Sequence, residues 1–303
     1  MVDYNNSPLF KNNICNSVTR ALCEDLGVET SEQLVQAQDI TAELIPSNNV
    51  AVANVISRDP CIVCGVEWVN QVFHQLDKIY GFTGDQATTI TWFVNDGQAV
   101  KANTSLFEVS GNARLILTGE RTALNFLQTL SATATVTSTY VEHLKDTNTK
   151  LLDTRKTIPG MRLAQKYAVT CGGGVNHRIG LYDAFLIKEN HIAACGGITK
   201  AIETARVNHA NKTVEVEVES IEELTEALNA GSDIIMLDNF TPEMIEQAVT
   251  LTKDISGGKT KLEVSGNMTL DKIRQYTKAG VDYISVGAIT KHLHAVDLSM
   301  RFV

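Results

Sequence analysis

From residue 149 onward the chain repeats one rhythm, a short apolar run followed by a helical stretch, and nothing else in the sequence narrows its fold so far. Strand-like runs occur at Lys150–Asp153, Ala184–Lys188, Val214–Val218, Ile234–Asp238, Lys261–Ser265 and Tyr283–Val286. Helical patterns separate most of them, at Ile198–His209, Ile221–Asn229, Pro242–Thr252 and Leu270–Ala279. Strands alternating with helices build a parallel sheet. Six strands fall short of the eight of a full barrel, so an incomplete parallel α/β barrel of about six or seven strands is expected.

The placing of the polar residues sharpens this reading. Asp153 and Arg155, Lys188 and Asn190, Glu217 and Glu219, Asp238 and Asn239, Ser265 and Gly266, and Gly287 all fall at or just past a strand's C-terminal end. In parallel barrels the loops at that end converge on one mouth, and sites are built there. The run Val214-Glu215-Val216-Glu217-Val218-Glu219 alternates strictly, so with its valines under the helices all three glutamates point inward. Lys261, Glu263 and Ser265 share one face in the same way. An inward carboxylate is costly unless paired, and Lys156, Lys188 and Lys261 are the available cations. For Glu215 and Glu263, deeper in their strands, a structural salt-bridge ladder is expected. Glu217 and Asp238 lie nearer the mouth, where carboxylate oxygens reach Mg²⁺ or ribose hydroxyls.

The charge distribution points to a small anionic ligand. The chain carries a net charge of −9, which argues against nucleic acid or an anionic membrane as partner. Yet between Lys150 and Asn190 seven basic residues face three acidic ones. Arg155, Lys156, His177 and Arg178 concentrate there, and arginine grips carboxylate or phosphate with two parallel bonds. Ser265-Gly266-Asn267 and Val286-Gly287-Ala288 follow the last two strands and precede helices, the setting in which backbone N–H groups hold a phosphate. Gly172-Gly173-Gly174 is no dinucleotide fingerprint, because position 177 is histidine. The six cysteines are irregularly spaced, and Cys61-x-x-Cys64 lacks a second ligand pair, so buried thiols in a reducing cytoplasm are expected. No apolar run approaches membrane-spanning length, and the polar Met1–Asn13 carries no secretory signal.

The first third reads differently. Helical patterns at Ser17–Leu26 and Ser31–Gln38 precede strands at Val50–Ile56 and Ile90–Val94, the turn Asn95-Asp96-Gly97 and a strand at Leu106–Val109. A helix then runs from Ala113 through Leu130, with Arg121, Asn125 and Gln128 at i, i+4 and i+7 on one face. Such a stripe on an apolar helix meets solvent, a ligand or a partner chain.

Asp153-Thr-Arg-Lys-Thr157-Ile-Pro-Gly160, Lys166-Tyr-Ala-Val169, Gly172-Gly-Gly174-Val-Asn176-His177-Arg178 and Leu186-Ile-Lys188-Glu-Asn-His191 resemble the signature of the quinolinate phosphoribosyltransferase family. Glu24-Asp-Leu-Gly27, Asp39-Ile-Thr41, Glu120-Arg-Thr-Ala-Leu-Asn-Phe-Leu127, Leu237-Asp-Asn239, Glu263-Val-Ser-Gly-Asn267 and Ser285-Val-Gly287 extend the resemblance nearly end to end. It implies an α+β sandwich domain over residues 1–116, an α/β-barrel catalytic domain over 117–289, and a tail, 290–303, that packs with the first. It implies phosphoribosyl transfer from phosphoribosyl pyrophosphate to quinolinate with decarboxylation, and a cytoplasmic homodimer whose Arg121 enters the partner's site. Arg155, Lys156, His177 and Arg178 match the quinolinate-binding group, and Lys188 a lysine at the substrates. Glu217 and Asp238 match acids near ribose and Mg²⁺, held directly or through water or substrate. Ser265, Gly266, Asn267 and Gly287 match the phosphate loops. By this resemblance Lys156, Lys188, Glu217 and Asp238 are the catalytic residues. One departure stands out: Lys291 occupies a position where many members carry histidine. Two rival readings are weaker. A barrel aldolase with Lys188 as Schiff-base lysine leaves the fixed cations unexplained, and a phosphate-ligand sensor leaves Glu217 and Asp238 without purpose.

Overall fold

The structure, a computed structural model, describes residue 4 and residues 7–266, 268–277 and 279–303, which form two compact units. The first comprises Met1–Thr137, Ile158–Gly173 and His292–Val303. Helix α1 (Pro8–Asp25) starts at Ser7, whose side chain accepts the Phe10 N–H, and Pro8 takes a first-turn position where its missing N–H costs nothing. Helix α2 (Val66–Tyr80) begins where Asp96 accepts the Gly65 and Val66 N–H groups, so the turn read at Asn95-Asp96-Gly97 also caps a helix. Strands β1 (Val50–Ser57), β3 (Thr89–Trp92) and β5 (Thr104–Asn112) form an antiparallel sheet, while β2 (Cys61–Ile62) pairs with β4 (Ala99–Val100). The C-terminal strand Leu298–Phe302 adds to this sheet beside β1. Phe10, Val18, Leu22, Trp68, Phe73, Phe107 and Leu127 anchor the unit's core. Cys61 and Cys64 are buried in it as free thiols.

Helix α3 spans Ala113–Glu142, twelve residues beyond the Leu130 expected from sequence. The added stretch is rich in threonine, a poor helix former whose hydroxyl competes for the backbone. Here the hydroxyls bond within the helix, Thr135 to the Ser131 carbonyl and Thr137 to the Thr133 carbonyl, both at 2.7 Å. Helix α4 (Arg162–Cys171) was not foreseen, because Gln165 and Lys166, polar by type, are wholly buried in it. The segment Ser31–Gln36 is a 3₁₀ helix rather than an α-helix.

The second unit comprises Ser138–Thr157 and Gly174–Lys291. Its strands are β6 (Lys150–Leu152), β7 (Phe185–Ile187), β8 (Val214–Val218), β9 (Ile234–Asp238), β10 (Lys261–Ser265) and β11 (Tyr283–Ser285). They form one parallel sheet in the order β6-β11-β10-β9-β8-β7. A single parallel bridge from Leu152 to Val175 stands beside β6, the stub of a further strand. The incomplete α/β barrel read from the sequence is what the chain builds. Helices α5 (Glu189–Cys195), α6 (Ile198–Asn208), α7 (Ile221–Asn229), α8 (Pro242–Ser256), α9 (Leu270–Thr277) and α10 (Ala288–Lys291) fill the connections. Val214, Val216 and Val218 are fully buried, and β8 packs against α6 and α7, so the alternation sorts the glutamates to the other face. Among the described residues no helix is long and apolar enough to cross a membrane.

Candidate active site

The strand ends of the second unit open on a cavity of about 370 Å³. Arg155, Lys156, His177 and Arg178 line one part of it, Lys188, Glu217 and Asp238 another, and Ser265 and Gly266 the rim. Nine of the residues expected from sequence therefore meet in one place. Seven of them stand at or just past the ends of parallel strands that point the same way, and His177 and Arg178 follow the bridge at Val175.

Arg178 is held by a short chain of bonds. The Asp153 carboxylate, fully buried at the end of β6, accepts the His177 N–H at 2.8 Å and the Asn176 side-chain amide at 2.7 Å. Asp183 closes the following turn by accepting the Ile179 and Gly180 N–H groups. Arg178 donates to the Ala184 carbonyl at 3.3 Å, while its Nε is buried without a hydrogen-bond partner among the described residues. Burial, and then the neighbouring charge of Arg155, disfavour its protonated form. Two crowded guanidiniums and a buried donor form a wall whose chemistry suits an anion.

Across the cavity Lys188 pairs with Glu217. The Lys188 N–H donates to His191 Nδ1 at 3.1 Å, which fixes the start of α5. Asp238 accepts from Asn239 at 2.9 Å, and Asn239 holds a left-handed backbone with φ 56°. Burial first, and the charge of Glu217 second, raise the Asp238 carboxyl above its ordinary range. Below them, Glu215 and Glu263 are almost wholly buried. Burial pushes the Glu215 carboxyl up to about 7, and burial together with the Glu215 charge pushes Glu263 up to about 8. The expected lysine ladder is absent among the described residues. Lys261 lies at the opposite, exposed end of β10 and pairs with Asp282 at 2.9 Å, and Lys188 is taken by Glu217. What stands beside Glu215 is His177, with Nε2 2.8 Å from the carboxylate.

The rim has the open backbone that a phosphate needs. Gly266 sits at φ +137°, a conformation closed to most side chains. At Gly287 a Cβ would meet Lys156 Cδ at 3.1 Å, so the glycine leaves room for the lysine stem. Thr290 then donates to the Lys156 carbonyl at 2.9 Å, tying this loop to the one after β6. Asn267 lies outside the described residues. Arg121 belongs to the first unit, where it and Asn125 are exposed on α3 and Gln128 is half-buried. Lys291 ends α10 and is exposed.

Sequence reasoning missed Leu186, Met236 and Ser285 as lining residues and Asp153 as an anchor. Strand alternation was the available signal, since Met236 stands in register with Glu217 and Glu263. Among the described residues, two groups of side chains have ligand atoms within 4.8 Å of one another, His177 with Glu215 and Glu263, and Cys64 with Asp96 and Cys171. Asp96 is already engaged, by the start of α2 and by the Tyr167 hydroxyl at 2.9 Å.

Comparison with known proteins bears on this geometry. Residues 39–131 match the N-terminal domain of quinolinate phosphoribosyl transferase and residues 133–301 its C-terminal domain. Over 286 residues the chain is 37% identical to a nicotinate-nucleotide pyrophosphorylase (carboxylating) of Mycobacterium leprae, covering 94% of this chain and 95% of that one. It is 41% identical over 272 residues to a probable enzyme of the same name from Methanocaldococcus jannaschii, covering 88% and 92%. The solved nicotinate-nucleotide pyrophosphorylase of Francisella tularensis superposes with a TM-score of 0.89 at 49% identity, covering 100% of both chains.

Proposed function

The chain belongs to the quinolinate phosphoribosyltransferase family, and from that premise we propose how its own residues carry the family's reaction. That reaction moves the phosphoribosyl group of phosphoribosyl pyrophosphate to quinolinate with loss of carbon dioxide, giving nicotinate mononucleotide and pyrophosphate for NAD biosynthesis. The carrying observation is the division of the cavity into an arginine wall at Arg155 and Arg178 and an acid wall at Glu217 and Asp238. A dicarboxylate suits the first. A ribose carbon gaining positive charge suits the second.

Arg155 and Arg178, with Lys156 and His177 beside them, hold the two carboxylates of quinolinate and turn its ring nitrogen toward C1 of the ribose. Ser265, Gly266 and Gly287 receive phosphate oxygens on open backbone. As the nitrogen–C1 bond forms, the bond from C1 to pyrophosphate breaks, and Glu217 and Asp238 stabilise the intervening cationic carbon. Lys188, paired with Glu217, stands between the two walls and fixes that carboxylate. The C2–carboxylate bond then breaks. Its electron pair stays on C2 beside the cationic ring nitrogen until a proton arrives.

Glu217 and Asp238 also fit Mg²⁺. They are hard oxygen donors at the mouth, and the charge of Glu217 disfavours ionised Asp238, a repulsion that a divalent cation relieves. Held there directly, or through water or substrate, the ion would neutralise charge on the departing pyrophosphate. We further propose a homodimer in which Arg121, exposed on α3, serves the partner's site, and a cytoplasmic setting, which the six free thiols suit. Turnover with quinolinate compared against nicotinate tests the reading. Quinolinate alone should be consumed, and equal use of nicotinate would mean that the arginine wall does not select a dicarboxylate.

A further inference from the structure

The mechanism above leaves two buried carboxylates unused. Glu263 of β10 and Glu217 of β8 both stand in register with Met236 of β9, and Glu215 lies two residues below Glu217 on the same face. Glu263, 0% exposed, lines the floor of the cavity, and Glu215, 3% exposed, lies beneath it. Neither oxygen of Glu263 receives a well-formed hydrogen bond among the described residues. Burial favours the protonated form of Glu263, so it adds little charge against a dicarboxylate, and its role lies in what it touches.

The ring between them is His177. Its Nε2 lies 2.8 Å from Glu215 Oε2 and 3.5 Å from Glu263 Oε2. Its Nδ1 accepts the backbone N–H of Arg178 at 2.8 Å. A nitrogen that accepts carries no proton, so the ring proton sits on Nε2 and faces the carboxylates. The imidazole thus links the barrel floor to the backbone of the residue whose guanidinium enters the cavity.

We propose that Glu263 is a positioning residue of the acid subsite: with Glu215 it confines the His177 ring at Nε2, and His177 holds the backbone from which Arg178 reaches the ligand. This rests on quinolinate being the acid bound there. It assigns Glu263 no contact with either substrate.

Glu263→Gln keeps the shape but replaces the titratable carboxyl with an amide that cannot ionise. Positioning predicts that KM for quinolinate rises on the order of tenfold, the upper end for a contact without charge assistance. KM for phosphoribosyl pyrophosphate should stay within about twofold. A merely structural role predicts that both KM values move together. The double variant with His177→Asn should then show no further loss from Glu263→Gln, because the two residues act in one chain. Glu263→Asp, which withdraws the carboxylate by one methylene, should raise quinolinate KM in the same direction and serves if the glutamine variant does not fold. An unchanged or lowered quinolinate KM, a parallel shift in both substrates, or additive effects with His177→Asn would overturn the proposal. Wild-type turnover measured alongside separates this outcome from failure of the functional reading, and calorimetric titration with quinolinate reads Glu263 without turnover.

Discussion

Replacing Arg178 with alanine removes the guanidinium whose buried Nε has no hydrogen-bond partner among the described residues. A carboxylate entering the cavity satisfies that donor and offsets the repulsion between Arg178 and Arg155, so binding relieves two costs at once. A hydrogen bond to a charged group is worth about 1.5–3 kcal/mol, or roughly 10- to 150-fold in affinity, and the relief of repulsion argues for the upper half of that range. Arg178→Lys keeps a charge but loses the planar fork, and should fall between wild type and alanine. Steady-state kinetics with each substrate varied in turn separates the effects: quinolinate KM should rise while phosphoribosyl pyrophosphate KM holds within about twofold. The thermal midpoint should not fall, because a half-buried cation beside another cation contributes little stability. A quinolinate KM within about twofold of wild type, or an equal rise for both substrates, would refute the assignment of the arginine wall.

Three further outcomes follow from the same geometry. Chelation with EDTA should abolish turnover and added Mg²⁺ restore it; full activity in metal-free buffer would remove the ion from Glu217 and Asp238. Mixing inactive Arg121→Ala chains with inactive Arg155→Ala chains should restore roughly a quarter of wild-type activity, since about half the dimers are then mixed and each carries one intact site of two. No recovery, with subunit exchange verified by mass, would return Arg121 to a same-chain role. Glu263 is raised by burial from an ordinary 4.5 to about 8, so the folded chain keeps a proton that the unfolded chain releases. Its contribution therefore falls as pH rises from about 4.5 to about 8, and Glu263→Gln should flatten the decline of the melting temperature across that window. Parallel wild-type and variant profiles would contradict this.

The barrel was legible because its period is simple. Val214–Val218, Ile234–Asp238 and Lys261–Ser265 stand where the pattern put them, since apolar alternation, strand length and intervening helices all agree. The cavity was legible for the same reason, as strand ends in one sheet direction must converge. What tertiary burial decides was not. Gln165 and Lys166 are polar by type yet buried, so no apolar stripe marked α4. Lys261 read as a partner for the inward glutamates, but its place at the start of β10 puts it at the exposed end, where Asp282 takes it. His177 read as one more cation for the ligand. That its ring lies between the floor carboxylates and the Arg178 N–H depends on three segments far apart in sequence, and no local pattern carries it.

The most direct test of the central claim is the stoichiometry of release from quinolinate labelled in its C2 carboxylate, supplied with phosphoribosyl pyrophosphate and Mg²⁺. The account predicts labelled carbon dioxide and pyrophosphate in equal amounts, both lost together in Arg178→Ala at limiting quinolinate. Pyrophosphate without labelled carbon dioxide, or carbon dioxide in the absence of phosphoribosyl pyrophosphate, would contradict transfer and decarboxylation in this one cavity.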